Sequence, residues 1–266
     1  MKLAAITFSP QGVLVCEQLK QSLDGLDLYL HEALPRLDET ISFSKVMVLV
    51  PEIFTQYAGL IFVAPAGLVI RSIASSVQSK LSDPAVIVVD VGGRTAISLL
   101  SGHEGGANDL AVRVGNILDA EPMVSTTTEA VKDLIVGIGC RKGKTGNDIL
   151  VAVNSVLDEK SLPLERVRYL ATADVKAEEA GLCAAAKQLN IPLRIISSER
   201  IRDCQRNFQS SVFVEQQVNL PAVAEPAALL AGWRTSLIVQ KQACQGITIA
   251  VAQENCLSLA SVPETV

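Results

Sequence analysis

The chain has 266 residues, 49% of them hydrophobic but only 4% aromatic, with a formal net charge of −5. That length can bury more than one core, and the acidic balance excludes broad nucleic-acid binding, which needs a basic surface. Six scattered cysteines without a C-x-x-C pair, and two histidines far apart, exclude a recognisable zinc motif.

The apolar residues are mostly Ala, Val, Leu and Ile, a mixture that suits parallel strands covered on both faces. The N-terminal apolar run is broken by Ser9-Pro10, short of a signal peptide. The most apolar stretch, residues 60–70, is interrupted by Pro65 and Gly67 and is too short to cross a bilayer. A reduced, cytoplasmic protein without membrane contact is expected.

Residues 3–8 read as a buried strand, 12–23 as a helix and 27–30 as a second strand. Segment 43–57 gives mixed signals: 46–50 looks strand-like, but Pro51 follows it and a partly helical segment is the alternative. From Gly59 the pattern sharpens. Strand 60–64, a turn at Pro65-Ala66-Gly67 and a helix over 68–77 carrying Arg71 lead to strand 85–89. A turn at Asp90-Val91-Gly92-Gly93 sends the chain back as strand 94–100. The loop Ser101-Gly102-His103-Glu104-Gly105-Gly106-Ala107-Asn108 follows, then a helix with Leu110, Ala111, Val114, Ile117 and Leu118 on one face. A short strand at 123–124 runs into the hydroxyls of 125–128.

A boundary within 129–133 divides the chain into domains of residues 1–131 and 132–266. The second begins with strand 134–139 and a glycine-rich basic loop through Gly143 and Asn147. Its helix has Ile149, Leu150, Val153, Val156 and Leu157 on one face. Strand 167–171, helix 177–189, strand 193–196 and helix 222–231 follow, with Pro226 where a first turn tolerates it. Strands 237–239 and 247–252 pair as a hairpin about Gln245-Gly246, and a polar, frayed tail ends the chain. The fold class is α/β: two three-layer α/β/α, Rossmann-like domains with mainly parallel sheets.

Two loops carry the chemistry. In the first, glycines let a ligand approach backbone N–H groups, and a helix starting near Ala107 would direct unpaired N–H groups and partial positive charge into the loop. His103 is the histidine in that setting; a tight turn whose imidazole merely bonds backbone is the plainer alternative. In the second, five residues intervene between Gly137 and Gly143-Lys144-Thr145, and three after Gly139, where a P-loop has four; Gly137, Gly139 and Gly143 also miss the dinucleotide spacing. Generic anion binding by Arg141, Lys142 and Lys144 remains, beside that of a solvated basic loop. Ligands of open α/β sheets lie at strand ends, so a cleft between the domains is expected. His103, the hydroxyls of 126–128, Arg141, Lys144, Thr172 and Lys176 would line it around an anionic small molecule. The residues alone give no reaction.

Gly67…Arg71…Lys80…Asp83-Pro84-Ala85-Val86…Asp90…Gly93 and the 101–108 loop resemble the N-terminal domain of the cobalt-precorrin-5A hydrolase family. Gly137-Ile138-Gly139-Cys140-Arg141…Gly143, Ala171-Thr172…Lys176…Glu178…Gly181-Leu182, Val223 to Leu230 and Lys241 resemble that family's C-terminal domain. The resemblance covers nearly everything after residue 58. It departs at one place: longer members carry a segment between the two domains, whereas here the chain passes from Thr128 almost directly into Leu134.

The resemblance implies a role in anaerobic cobalamin biosynthesis, opening the δ-lactone of a cobalt-bound ring-contracted macrocycle and releasing acetaldehyde to give cobalt-precorrin-5B. Cobalt would arrive inside the substrate, with no resident cofactor and no protein metal site. His103 is the expected general acid or base, and backbone N–H groups around Gly105 and Gly106 the expected oxyanion hole. Arg71, Ser101, Gly102, Gly105, Gly106, Asn108, Thr127, Gly139, Arg141, Lys144, Thr172, Lys176 and Lys241 are the expected substrate-binding residues. Lys80 is a carboxylate clamp or a surface charge, and Asp90 and Glu225 are assigned structural roles. The partners implied are an anionic cobalt-corrinoid and neighbouring pathway enzymes. A non-catalytic corrinoid carrier is the alternative from another class, and a nucleotide- or sugar-phosphate-binding protein is disfavoured by both glycine spacings.

Overall fold

The aliphatic runs become strands whose residues are buried on both faces, as parallel sheets require. The structure, a computed structural model, describes residues 2–204, 220 and 222–256. It divides into two units, Met1–Thr126 and Thr127–Val266. The polar tail expected after 256 lies outside the described residues.

The first unit contains β1 (Leu3–Thr7), α1 (Pro10–Ser22), β2 (Leu26–His31), β3 (Thr40–Phe43), α2 (Val46–Ile53), β4 (Gly59–Val63) and α3 (Ala66–Ile73). It continues through β5 (Ala85–Val89), β6 (Thr95–Leu100), α4 (Ala107–Leu118) and β7 (Glu121–Met123). Its sheet order is β3-β2-β1-β4-β5-β6-β7. β1 to β5 are mutually parallel; β6 pairs antiparallel with β5, and β7 runs with β6. One face packs Val15, Cys16 and Leu19 of α1 with Leu110, Ala111 and Val114 of α4. The other packs Val46, Leu49, Val50 and Ile53 of α2 with Val69 and Ile73 of α3. Burial pushes the Cys16 thiol up to about 12, so it behaves as an apolar core group.

Of the two readings left open for the segment around 46–50, the helical one is observed. Val46, Leu49, Val50 and Ile53 recur at helical spacing and bury one stripe against the sheet. That burial outweighs the β-branched composition and the bond lost at Pro51. β3 went unread because it is a four-residue edge strand with only Phe43 buried.

Asp90 organises the turn that reverses β6. Its carboxylate accepts from the N–H groups of Gly92, Arg94 and Thr95 and from Thr95 Oγ1, at 2.8–3.1 Å. Burial alone would raise this carboxyl; the bonds from Thr95, Gly92 and Arg94 outweigh it and hold it below its ordinary value. The expected structural role is the observed one.

The second unit contains α5 (Thr127–Ala130), β8 (Leu134–Cys140), α6 (Gly146–Glu159), β9 (Val167–Ala173), α7 (Ala180–Leu189), β10 (Leu193–Ile196) and α8 (Ser198–Asp203). α9 (Ala224–Leu230), β11 (Thr235–Cys244) and β12 (Ile247–Glu254) complete it. The sheet order is β10-β9-β8-β12-β11, with β8 to β10 parallel and β12 antiparallel to both neighbours. α6 and α7 cover one face through Ile149, Val153, Leu157, Leu182 and Ala185. α9 packs against β8 without intervening side-chain bulk: a Cβ at Gly137 would lie 1.9 Å from the Ala224 carbonyl oxygen and 2.9 Å from Ala228 Cβ. Gly137→Ala is therefore expected to push α9 off the sheet and cost about 3 kcal/mol, the upper end for overpacking. Urea denaturation checks this; a loss below about 1 kcal/mol would mean the helix shifts freely.

Candidate functional site

The Ser101–Asn108 loop is not at the carboxyl ends of the parallel strands. Because the Asp90 turn makes β6 antiparallel, Leu100 pairs with Val86 near the start of β5, and the loop emerges at the amino edge of the sheet. Gly105 there approaches the backbone of Asp83, whose carboxylate accepts from the N–H groups of Gln78 and Ser79. The point where strand order reverses in this unit, between β1 and β4, opens at the opposite edge.

The loop amides are engaged. Gly105 N–H and Ala107 N–H both donate to the Ser101 carbonyl at 3.1 Å, Gly106 N–H to that of His103 at 3.2 Å, and Asn108 N–H to that of Gly102 at 3.0 Å. The expected oxyanion hole at Gly105 and Gly106 is thus corrected: the coiled loop spends those donors on its own carbonyls. Asn108 is corrected likewise. It is buried, its Oδ1 accepts from Ser98 Oγ at 2.8 Å and its Nδ2 donates to Thr126 Oγ1 at 3.0 Å, so its amide fastens the loop to β6 and to residue 126. Gly102 makes room for that amide, since a Cβ there would lie 2.9 Å from Asn108 Oδ1. Gly106 takes the left-handed φ of 81° that opens α4.

Two groups in the loop are not explained by this framework. His103 is exposed. Ser101 is 6% exposed, has φ 57°, and its Oγ has no hydrogen-bond partner. An unpaired buried hydroxyl costs about 1–3 kcal/mol, and left-handed backbone at a residue with a Cβ about 1–2 kcal/mol more. Glu104, which sequence reasoning passed over, pairs with Lys80 at 2.8 Å, tying the loop to the segment before β5. The hydrogen bond from Lys80 holds the Glu104 carboxyl below, and the bond to Glu104 holds the Lys80 ammonium above, their ordinary values. Arg71 is exposed on α3, its Nη1 lying 3.5 Å from the Gly67 carbonyl of its own helix. Thr127 is exposed at the start of α5 in the second unit.

In the second unit the basic loop does leave the carboxyl end of a central strand. Arg141 N–H donates to the Gly246 carbonyl at 2.9 Å, and the Arg141 and Lys144 side chains both pass over Gly246 in the β11–β12 turn. Lys176 joins the same corner. It pairs with Glu179 at 3.0 Å, and Glu179 also takes a hydrogen bond from the Gly143 backbone. Those interactions, led by Lys176, hold the Glu179 carboxyl low. Gly181 seats α7 against the loop, its would-be Cβ 2.0 Å from the Lys144 carbonyl oxygen. The start of α6 is closed by a capping box in which Thr145 and Asp148 bond reciprocally. Arg141, Lys144 and Lys176 therefore gather as expected, with Glu179 as the neighbour sequence reasoning missed.

Thr172, Gly139 and Lys241 lie in the strands themselves. Thr172 is fully buried and its Oγ1 donates to the Ile138 carbonyl at 2.8 Å; it ties β9 to β8, which corrects its assignment to substrate. Gly139 lies within β8, half-buried, and a Cβ there would meet Val223 at an ordinary 3.5 Å. Lys241 sits at the β11 bulge, where its N–H donates to Glu225 Oε1 at 2.9 Å; buried Glu225 has the structural role expected for it. Among the described residues no group of three or more His, Cys, Asp or Glu could hold a metal ion. No helix among them is long and apolar enough to cross a membrane.

The molecule is thus a two-unit α/β protein with a glycine-rich histidine loop in the first unit and a cationic loop corner in the second. It belongs to the cobalamin synthesis G family: residues 48–129 match the family's N-terminal model and 134–252 its C-terminal model. A cobalt-precorrin-5A hydrolase of Priestia megaterium is 32% identical over 60% of this chain, a match spanning 45% of that relative's length. One from Salmonella typhimurium is 24% identical over 74% of this chain and 82% of its own. That alignment runs to 290 residues, longer than the whole of this chain, so gaps fall within it. The crystal structure of CobE, a protein of the cobalamin pathway, is 29% identical over 45% of this chain and 89% of its own, with a TM-score of 0.43.

Proposed function

We propose that the chain is a hydrolase of cobalamin biosynthesis that opens the δ-lactone of cobalt-precorrin-5A and releases acetaldehyde. The observation that carries this reading is the 101–108 loop, where an exposed imidazole and a buried unpaired hydroxyl stand two residues apart. Lactone opening needs a base for the attacking oxygen and an acid for the departing one, and a single histidine serves both in turn. Cobalt is part of the substrate, and the conjugated macrocycle accepts the electron pair released on carbon–carbon cleavage. Arg141, Lys144 and Lys176 bind peripheral carboxylates of the corrinoid.

Anaerobic incubation with cobalt-precorrin-5A tests the reading: acetaldehyde and the matching loss of mass from the corrinoid are expected. Corrinoid that binds tightly and is recovered unchanged would instead favour a carrier, an alternative that the spent amides of Gly105 and Gly106 keep in play. Replacing both Arg141 and Lys144 by Ala is expected to raise KM about tenfold, with kcat little changed. The effect should shrink as salt is added, because exposed charge pairs are screened. An unchanged KM at low salt would remove this corner from the substrate site.

A further inference from the structure

We propose that Ser101 is the nucleophile of the lactone-opening step; this rests on the hydrolase reading and adds a covalent intermediate to it. Three observations converge on the residue. Its Oγ is buried without a partner. Its backbone is left-handed, with φ 57°, at the turn between β6 and α4. On one side it is covered by bare backbone, since a Cβ at Gly105 would come within 2.5 Å of Ser101 Cβ and 3.1 Å of the Asp83 carbonyl. Glycine would suit position 101 on both conformational and polar grounds, yet glycine occupies 102, 105 and 106 around it. A strained serine between a strand and a helix is the arrangement by which hydrolases present a nucleophile. The usual glycine spacing is absent here, Leu99 standing in the first glycine's place.

The loop shields the hydroxyl until substrate arrives. A corrinoid carboxylate that takes Lys80 from Glu104 releases the tie to the segment before β5 and uncovers Ser101. The Ser101 Oγ then adds to the lactone carbonyl carbon while its proton passes to His103. Collapse breaks the ring C–O bond, and His103 returns the proton to the departing alkoxide, leaving a seryl ester and a free secondary alcohol. Water, deprotonated by His103, hydrolyses the ester to the carboxylic acid and restores Ser101. Loss of the alcohol proton then breaks the carbon–carbon bond, acetaldehyde leaves, and the macrocycle carbon keeps the electron pair and is protonated. The sum is lactone plus water giving acid plus acetaldehyde.

Ser101→Gly separates this role from a structural one. The variant is expected to melt at a higher temperature than wild type, to bind the corrinoid as well, and to lose about 10³-fold or more in kcat. In single turnover with hydroxylamine present, wild type is expected to yield the hydroxamate of the ring acetate, and Ser101→Ala none. The proposal falls if Ser101→Gly keeps kcat within tenfold, if it loses stability or corrinoid binding, or if Ser101→Ala traps hydroxamate as wild type does. Wild type that releases no acetaldehyde would remove the hydrolase reading and this proposal together; active wild type with an active Ser101 variant would remove only the proposal.

Discussion

Glu254→Ala is expected to destabilise the second unit by about 3–5 kcal/mol, the range for removing one member of a buried ion pair. The Glu254 side chain is 1% exposed and its Oε2 accepts from Arg168 Nη1 at 2.7 Å. Its Oε1 accepts from Trp233 N–H at 2.6 Å. Arg168 is itself mostly buried, with its Nε unpaired and the Tyr169 ring 5.0 Å from its guanidinium, so loss of the carboxylate leaves a buried cation without a counter-charge. The same sheet edge carries Asp133, gripped by Arg166 at 2.9 and 2.7 Å and by Gln253 at 2.7 Å. Burial alone would raise the Asp133 carboxyl, but Arg166 and Gln253 outweigh it and hold it low. A depressed folded value means stability that is present above the unfolded pKa, about 3.9, and lost as pH falls through the folded one. Urea denaturation should therefore show Glu254→Ala far below wild type at pH 7. Asp133→Asn should be weaker at pH 7 yet less acid-sensitive than wild type. A loss under about 1 kcal/mol for Glu254→Ala would mean water replaces the carboxylate.

These pairs show where sequence reading stops. β5 and β10 were legible to the residue, because Ala85–Val89 and Leu193–Ile196 are short aliphatic runs bounded by polar turns. The α4 stripe was legible from its spacing. Asp133–Arg166 and Arg168–Glu254 join residues far apart in the chain, and no local pattern announces which charges will be buried. Gly137 resembles part of a ligand loop because close backbone approach demands glycine whether the visitor is a phosphate or, as here, a helix from another part of the chain. Thr172 looks like a loop hydroxyl because the aliphatic run stops at Ala171, whereas the strand continues to Ala173 and turns the Thr172 hydroxyl onto the Ile138 carbonyl. The amides of the 101–108 loop were misjudged for a different reason. Glycine content signals that a backbone can bend, but not whether the bend turns its donors outward or, as it does, onto Ser101 and His103. That the cations at 141, 144 and 176 share one corner is legible because they follow the carboxyl ends of adjacent parallel strands.

His103→Ala is expected to lower kcat for acetaldehyde release by about 10²–10⁴-fold, the usual contribution of a general acid–base group. Corrinoid affinity and melting temperature should stay near wild type. The side chain is exposed on a loop whose shape is held by other atoms: the carbonyls of Ser101, Gly102 and His103, the amide of Asn108, and the Lys80–Glu104 pair. Truncating the imidazole removes none of them. With the Gly105 and Gly106 amides spent, the reaction has fewer groups to fall back on, which places the loss toward the larger end. Combining His103→Ala with Ser101→Ala decides how the two act. Groups that work as one unit are strongly non-additive, so the double variant should be scarcely slower than either single one. Independent roles would multiply the two losses instead. If His103→Ala alone left kcat within a factor of three, the acid–base assignment would fail. Turnover would then have to rely on the substrate's own carboxylates and the Lys80–Glu104 pair beside the loop.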